Sequence, residues 1–340
     1  MNDENNAILE TPITVLGAGS WGTSLAILLA RNGQPVNLWG HDPHQVRQMQ
    51  QTRLNARYLP GVIFPPTLTL CHDLPAALYN TQDILIALPS HAFVDILTQI
   101  KPHLLPEARL VWGTKGLTTE KELLHVAAIR ILGQQRDLAV LSGPSFAAEL
   151  AKKSPTAITL AANNSAFSAA LIARFSNDYF RIYTSDDMTG VETAGVIKNV
   201  LAIAAGMIAG SGLGANTLSA LITRGLVEMK KFGIALGGQA DTFYGLAGLG
   251  DLILSCTDSQ SRNRRFGTAI SQGKSAQAAL AEIGQAVEGY YNIETVYQLA
   301  QQRHICMPIT EQIYQVIYQK IPLQTAIQTL FSRTLKGETA

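Results

Sequence analysis

From Ile13 to about Ser185 the chain alternates short apolar runs with longer amphipathic ones. The short runs Ile13–Leu16, Val36–Trp39, Ile84–Leu88, Leu110–Trp112, Leu138–Leu141, Ala157–Leu160 and Arg181–Tyr183 predict strands. The segments Trp21–Asn32, His91–Ile100, Glu120–Ile131 and Ala166–Phe175 predict helices between them. The earlier strands are apolar at nearly every position, as a strand must be when helices cover both sheet faces. The expected class is α/β: a Rossmann domain with a mostly parallel, doubly wound sheet.

After Asp186 the period changes. Asp187–Ile208, Thr217–Phe232, Ala276–Glu282, Ile293–Arg303, Thr310–Gln319 and Leu323–Leu330 predict helices, and alternating strands disappear. A boundary near residues 185–192 therefore divides a dinucleotide-binding domain, residues 1–190, from an all-α substrate domain, residues 191–340. No low-complexity linker marks the join and no internal repeat is visible, so the helix through Lys198 is expected to pack against both halves. The long apolar tract Val196–Ala215 holds Lys198, Asn199 and several glycines, which predicts a buried helix followed by a turn and not a membrane span.

Length and composition narrow the classes. A chain of 340 residues exceeds one core of ordinary size, and 47% apolar against 15% charged residues belongs to a well-buried protein. Lys and Arg total 26 against 25 Asp and Glu, so no basic excess draws nucleic acid or an anionic membrane. A small anionic ligand needs only a local cluster of charge. Cys71, Cys256 and Cys306 lie far apart, with neither a zinc spacing nor a disulfide framework; no metal is expected, and a reducing cytoplasm is. Met1–Glu10 is acidic and Asn-rich and lacks the basic start and apolar run of a signal peptide.

The first chemical motif is Gly17-Ala18-Gly19-Ser20-Trp21-Gly22, set between a predicted strand and a predicted helix. Gly17 suits the tight turn, Gly19 lets backbone approach a pyrophosphate, and Gly22 allows close helix–strand packing; the helix N-terminus supplies free N–H groups and partial positive charge. In that context the loop is a dinucleotide fingerprint and not an idle glycine-rich turn. After the second strand stands Gly40-His41-Asp42-Pro43. Asp42 before a proline reads as a helix N-cap at least as well as a ribose ligand. His41 lies where a 2′-phosphate is tolerated, which favours NADP and leaves NAD open.

The second motif is a lysine in the wrong place. Gly195–Ala205 is apolar on nearly every side except at Lys198 and Asn199. A helix apolar all round is buried, and a buried ammonium needs a carboxylate, a ligand or both. A purely structural ion pair is the competing reading. Gly248-Leu249-Gly250-Asp251 offers a carboxylate on a glycine-spaced turn, and Ser261-Arg262-Asn263-Arg264-Arg265 offers donors suited to a phosphate, although alone it reads as a solvated helix start. Trp112-Gly113-Thr114-Lys115-Gly116 and Ser142-Gly143-Pro144-Ser145-Phe146-Ala147 each follow a strand, at the end that faces the crevice of an open α/β sheet.

These motifs, with Val287-Glu288-Gly289, stand in the order found in bacterial NAD(P)-dependent glycerol-3-phosphate dehydrogenases, and the chain resembles that family over nearly its whole length. The resemblance implies a Rossmann domain followed by an all-α domain, usually as a homodimer. It implies reversible reduction of dihydroxyacetone phosphate to sn-glycerol 3-phosphate with NADP(H) or NAD(H), supplying phospholipid synthesis. Lys198 matches the family's catalytic lysine, with Lys115 and Asp251 beside it. Gly143, Ser145, Ser261, Arg262 and Asn263 match substrate contacts along with those three. Ser20, Trp21, His41, Lys115, Ala147, Arg262, Ala286 and Glu288 match cofactor contacts, joining Gly17, Gly19 and Gly22. Ala286 stands where the family often has a larger aliphatic residue, so its contact is expected to be slight. Two other readings remain at this stage: a related two-domain dehydrogenase of a 3-hydroxyacid or sugar acid phosphate, and a non-catalytic NAD(P)-sensing protein. The segments around Asp251 and Arg262 favour the glycerol phosphate reading, and Lys115, Lys198 and Asp251 count against the sensor.

Overall fold

The computed structural model describes residues 11–334, so the reading of Met1–Glu10 lies outside the described residues. The first half runs β1 (Ile13–Leu16), α1 (Ser20–Arg31), β2 (Val36–Trp39), α2 (Pro43–Thr52), β3 (Leu54–Asn55), β4 (Leu59–Ile63), β5 (Leu68–Cys71), α3 (Leu74–Leu78), β6 (Asp83–Ile86) and α4 (Phe93–Ile100). It continues through β7 (Arg109–Trp112), α5 (Leu124–Leu132), β8 (Leu138–Ser142), α6 (Ala147–Ala151), β9 (Thr156–Ala162), α7 (Ser165–Phe175) and β10 (Phe180–Ser185). Helices then follow alone: α8 (Met188–Gly210), α9 (Ala215–Ala235), α10 (Asp251–Thr257), α11 (Arg262–Ser271), α12 (Ala276–Ile283), α13 (Glu288–Gln302), α14 (Pro308–Tyr318) and α15 (Leu323–Phe331).

The sheet order is β10-β9-β8-β7-β6-β1-β2-β5, and every pair in it is parallel except β8 with β9. Alternate side chains feed opposite cores. Ile13, Val15 and Val111 pack with Leu25 and Leu29 of α1 on one face, while Leu16, Leu110 and Trp112 pack with Phe93 and Leu97 of α4 on the other. Both faces being covered is the physical reason for the unbroken apolar runs. A third core surrounds α8, through Ile197, Leu201, Phe232, Phe266 and Ile293.

The helix α8 joins these layers. Its 23 residues reach about 35 Å at 1.5 Å per residue, and it touches β8, β9 and α5 on one side and α9, α10, α11 and α13 on the other. Among the described residues it is the one helix long and apolar enough to cross a membrane, but 83% of that apolar window is buried inside the protein.

Several boundaries differ from those expected. The run Ile84–Leu88 leaves the sheet after Ile86, because Ala87 and Leu88 turn outward as a loop. The helix expected from Glu120 starts at Leu124, since Lys121 takes a left-handed φ of 65° that interrupts helical backbone. The helix expected from Ile293 starts earlier, at Glu288. Gly248-Leu249-Gly250-Asp251 is not a free turn: a π-helical turn over Leu246–Gly250 runs directly into α10, with Asp251 as its first residue. The edge strand β5 and the β3–β4 hairpin were not visible as apolar runs, because their outward positions are polar or exposed.

At the N-terminal end of the sheet Asp83 is fully buried between two guanidinium groups. Arg109 Nε donates to it at 2.7 Å and Arg174 Nε at 2.6 Å, and Arg174 also reaches Gln34 Oε1 at 2.8 Å. Removing one member of a buried ion pair strands the other charge, at a cost of about 3–5 kcal/mol. Asp83→Ala should therefore lower the unfolding free energy by about 3–5 kcal/mol in urea titrations. Arg109→Ala should cost less, because Arg174 keeps its partner; equal losses in the two variants would refute this ordering.

Candidate active site

The neighbours β1 and β6 lead to opposite sides of the sheet, so a crevice opens beyond their C-terminal ends. It encloses about 770 Å³ and is walled by Gly17–Trp21, His41, Lys115, Ser145, Ala147, Lys198, Asp251, Ser261–Asn263, Ala286 and Glu288. Gly17 has φ +122°, and a β-carbon there would lie 2.7 Å from the Ala87 carbonyl oxygen. One on Gly22 would lie 2.0 Å from the Gly17 carbonyl oxygen, so both must be glycine if α1 is to start flush against the sheet. A β-carbon on Gly19 would meet nothing, because that position faces the open crevice. Gly19 is also the N-cap of α1 and brings no side chain to its free N–H groups. Those donors and the helix dipole are free for an anion.

Deeper in the crevice three charges meet. Lys115 follows β7 and its Nζ donates to Asp251 Oδ2 at 2.5 Å and to the Gly143 carbonyl oxygen at 3.2 Å. Lys198 Nζ on α8 donates to Asp251 Oδ1 at 3.1 Å and to Ser255 Oγ at 2.8 Å. Each carboxylate oxygen thus serves one lysine. Burial pushes Lys198 down to about 8; Asp251 resists that fall and Lys115 adds to it. Burial opposes ionisation of Asp251 too, but the two ammonium groups outweigh it and hold the carboxyl below its ordinary range. Lys198 is therefore a cation close to losing its proton at neutral pH, as an acid–base group must be.

The packing behind this centre fixes its register. Glu192, six residues before Lys198 on α8, accepts from Trp112 Nε1 at 2.9 Å and contacts His125 Nδ1 at 2.7 Å. Trp112 ends β7 three residues before Lys115, so one buried carboxylate ties the strand that carries the first lysine to the helix that carries the second. Burial alone would lower the His125 pKa, but its contact with Glu192 raises it.

The helical wall comes from α11 and α13. Ser261 caps α11, accepting from Arg264 N at 3.3 Å. The helix start that could have been solvated instead faces the crevice. Asn263 Nδ2 donates to Asn199 Oδ1 at 2.9 Å, and Asn263 Oδ1 accepts from Gly289 N at 2.9 Å. Burial lowers the Arg262 pKa.

Of the residues singled out in the sequence, Gly22 and Gly143 do not line the crevice; the first packs beneath the loop, and the second presents its carbonyl to Lys115. Asp42 accepts from His44 N at 2.9 Å as the cap of α2 and stays outside the crevice walls, whereas His41 is one of them. Sequence reasoning missed Ser255, although its place one helical turn after Asp251 was a usable signal. It missed Asn199 as a crevice wall, and Tyr58, Leu59, Pro60 and Val62, which the β3–β4 hairpin brings to that wall. Nothing local in that hairpin marks it for this place.

The family described as NAD-dependent glycerol-3-phosphate dehydrogenase N-terminus matches residues 12–168, and its C-terminus counterpart matches residues 187–328. The chain is 53% identical over 331 residues to the glycerol-3-phosphate dehydrogenase [NAD(P)+] of Haemophilus influenzae, covering 97% of this chain and 99% of that one. It is 53% identical to the protein of the same name from Serratia proteamaculans, over 96% of this chain and 97% of that one. The crystal structure of glycerol-3-phosphate dehydrogenase from Coxiella burnetii is 49% identical and superposes with a TM-score of 0.93, covering 96% of this chain and all of that one. A 2-dehydropantoate 2-reductase from Geobacter metallireducens, at 15% identity and a TM-score of 0.61, shares the fold alone.

The shared carboxylate makes a direct prediction. Asp251→Asn removes the charge that favours the Lys198 ammonium, so the Lys198 pKa should fall below about 8. Titration of the labelled lysine by NMR reads it; an unchanged or raised pKa would exclude Asp251 as the countercharge.

Proposed function

Because the chain belongs to the NAD-dependent glycerol-3-phosphate dehydrogenase family, we propose that it reduces dihydroxyacetone phosphate to sn-glycerol 3-phosphate, reversibly, with NADPH or NADH. The observation that carries this reading is the Lys115–Asp251–Lys198 centre at the base of a crevice that begins at a phosphate loop. The residues present fit a dinucleotide: the uncapped N-terminus of α1 receives the pyrophosphate, and Gly19 leaves room for it. His41 and Trp21 complete that wall, with Ala147, Ala286 and Glu288 further along it.

When bound, the nicotinamide supplies the hydride that reaches the carbonyl carbon. Lys198 hydrogen-bonds the carbonyl oxygen through Nζ, stabilises the negative charge that develops there and gives it a proton. The resulting amine is then reprotonated from solvent. In the oxidation direction the same amine takes the hydroxyl proton. Asp251 holds both lysines in place, and Lys115 adds a second positive charge beside the substrate. Arg262 and Asn263, with Ser261 and Ser145, hold the phosphate end, so that remote binding energy orients the ketone, while Gly143 acts through Lys115, whose ammonium its carbonyl accepts.

Residues 1–190 form the cofactor-binding unit in this reading, and residues 191–340 the substrate unit. The product feeds phospholipid synthesis. The free thiols of Cys71, Cys256 and Cys306 support a cytoplasmic setting. Family membership supports a homodimer, which sedimentation of the purified protein tests.

Purified protein should oxidise NADPH when dihydroxyacetone phosphate is added; no such turnover would overturn the reading. Lys198→Ala should bind NADPH yet lose about two to four orders of magnitude in kcat. Reduction by the wild type should decline as pH rises through about 8, where Lys198 loses its proton, while oxidation gains. Arg262→Ala should chiefly raise the KM for dihydroxyacetone phosphate, and an effect confined to cofactor affinity would reassign it.

A further inference from the structure

Arg262 and Glu288 both wall the crevice and each shifts the other's proton affinity, yet they form no ion pair within 4.0 Å. The reason lies across the crevice, in the loop after β6. Ser90 N donates to Glu288 Oε1 at 3.2 Å, and Ser90 Oγ donates to Glu288 Oε2 at 2.7 Å. Both carboxylate oxygens are thereby taken by Ser90 of the sheet half, and neither pairs with the guanidinium.

Ser90 is itself firmly placed. It is 3% exposed and sits under Gly116, where a β-carbon would lie 2.3 Å from its Oγ. The seam around it is braced by Asn292 of α13. Asn292 Oδ1 accepts from Leu117 N at 2.9 Å, and Asn292 Nδ2 donates to the Glu288 carbonyl oxygen at 2.7 Å. His91 meets the Tyr291 ring at 5.6 Å between centroids.

We propose that Ser90 is a positioning residue of the anion site: it holds the Glu288 carboxylate on the sheet side, and so leaves the Arg262 guanidinium unneutralised for an incoming phosphate. Only the identity of that phosphate, the substrate's or one of the cofactor's, rests on the function proposed above. A guanidinium with a carboxylate already on its fork binds an anion poorly, because the fork's paired donors and its charge are both taken. Apart from Ser90, the group that most favours the charged form of the buried Glu288 is Arg262, ahead of His91.

The test compares Ser90→Ala with the double variant Ser90→Ala/Glu288→Gln. Dissociation constants for NADPH, by fluorescence titration, and for sn-glycerol 3-phosphate, by calorimetry, identify which phosphate Arg262 receives. Ser90→Ala should weaken at least one of the two by about tenfold, the scale of one partly desolvated charge pair, with kcat changed far less. The added Glu288→Gln should recover most of that loss, since glutamine keeps an acceptor oxygen but cannot neutralise the guanidinium. A purely structural Ser90 would give a loss that the second substitution does not relieve, and that result overturns the proposal, as does unchanged binding of both ligands. Wild-type protein that binds NADPH but not sn-glycerol 3-phosphate would overturn the assigned function instead, while the NADPH arm still reads the role of Ser90.

Discussion

The carboxylate of Asp251 is the constraint on which the site depends. Two ammonium groups cannot approach one another in a mostly buried crevice unless something of opposite charge stands between them. Here each oxygen of Asp251 takes one lysine, with Lys115 arriving from the sheet and Lys198 from the long helix. The two ammonium groups keep Asp251 ionised against its burial, and Asp251 in turn supports the charge of Lys198. Lys198 is left with a proton it can release near neutral pH, and the crevice keeps a net positive charge to meet an anionic substrate.

That arrangement requires the two halves of the chain to be registered against each other closely, and α8 does this. It runs through the helical core while touching the sheet at β8 and β9. Glu192 locks it to Trp112, and the Asn199–Asn263–Gly289 bonds lock it to the helical wall. The crevice therefore has one wall of sheet loops and one wall of helix starts. The contacts of Ser90 and Asn292 close the same seam from the other end.

Much of this was legible in advance. The strands β1, β2 and β7 could be found because strands buried on both faces are apolar at most positions. The phosphate loop could be found because its glycine spacing falls between an apolar strand and a helix start, a context readable within about ten residues. Lys198 drew attention because it sits in a helix that has no other reason to carry charge. What could not be found was set by neighbours far along the chain. The β3–β4 hairpin has few inward positions and gives almost no periodic signal, yet it lines the crevice. Ser90 looks like an ordinary loop serine until Glu288, 198 residues later, is brought to it.

The sequence by itself determined the layered α/β class, the helical second half, the dinucleotide loop and the presence of a lysine that needed a partner. These follow from period, local sterics and the cost of burying charge, which act within a few residues. The tertiary structure alone decided which carboxylate meets which ammonium, that both lysines share one aspartate, and that Glu288 faces Ser90 and not Arg262. Those are choices among equally charged groups, and only the three-dimensional distance between them, to which a linear chain is blind, separates one from another.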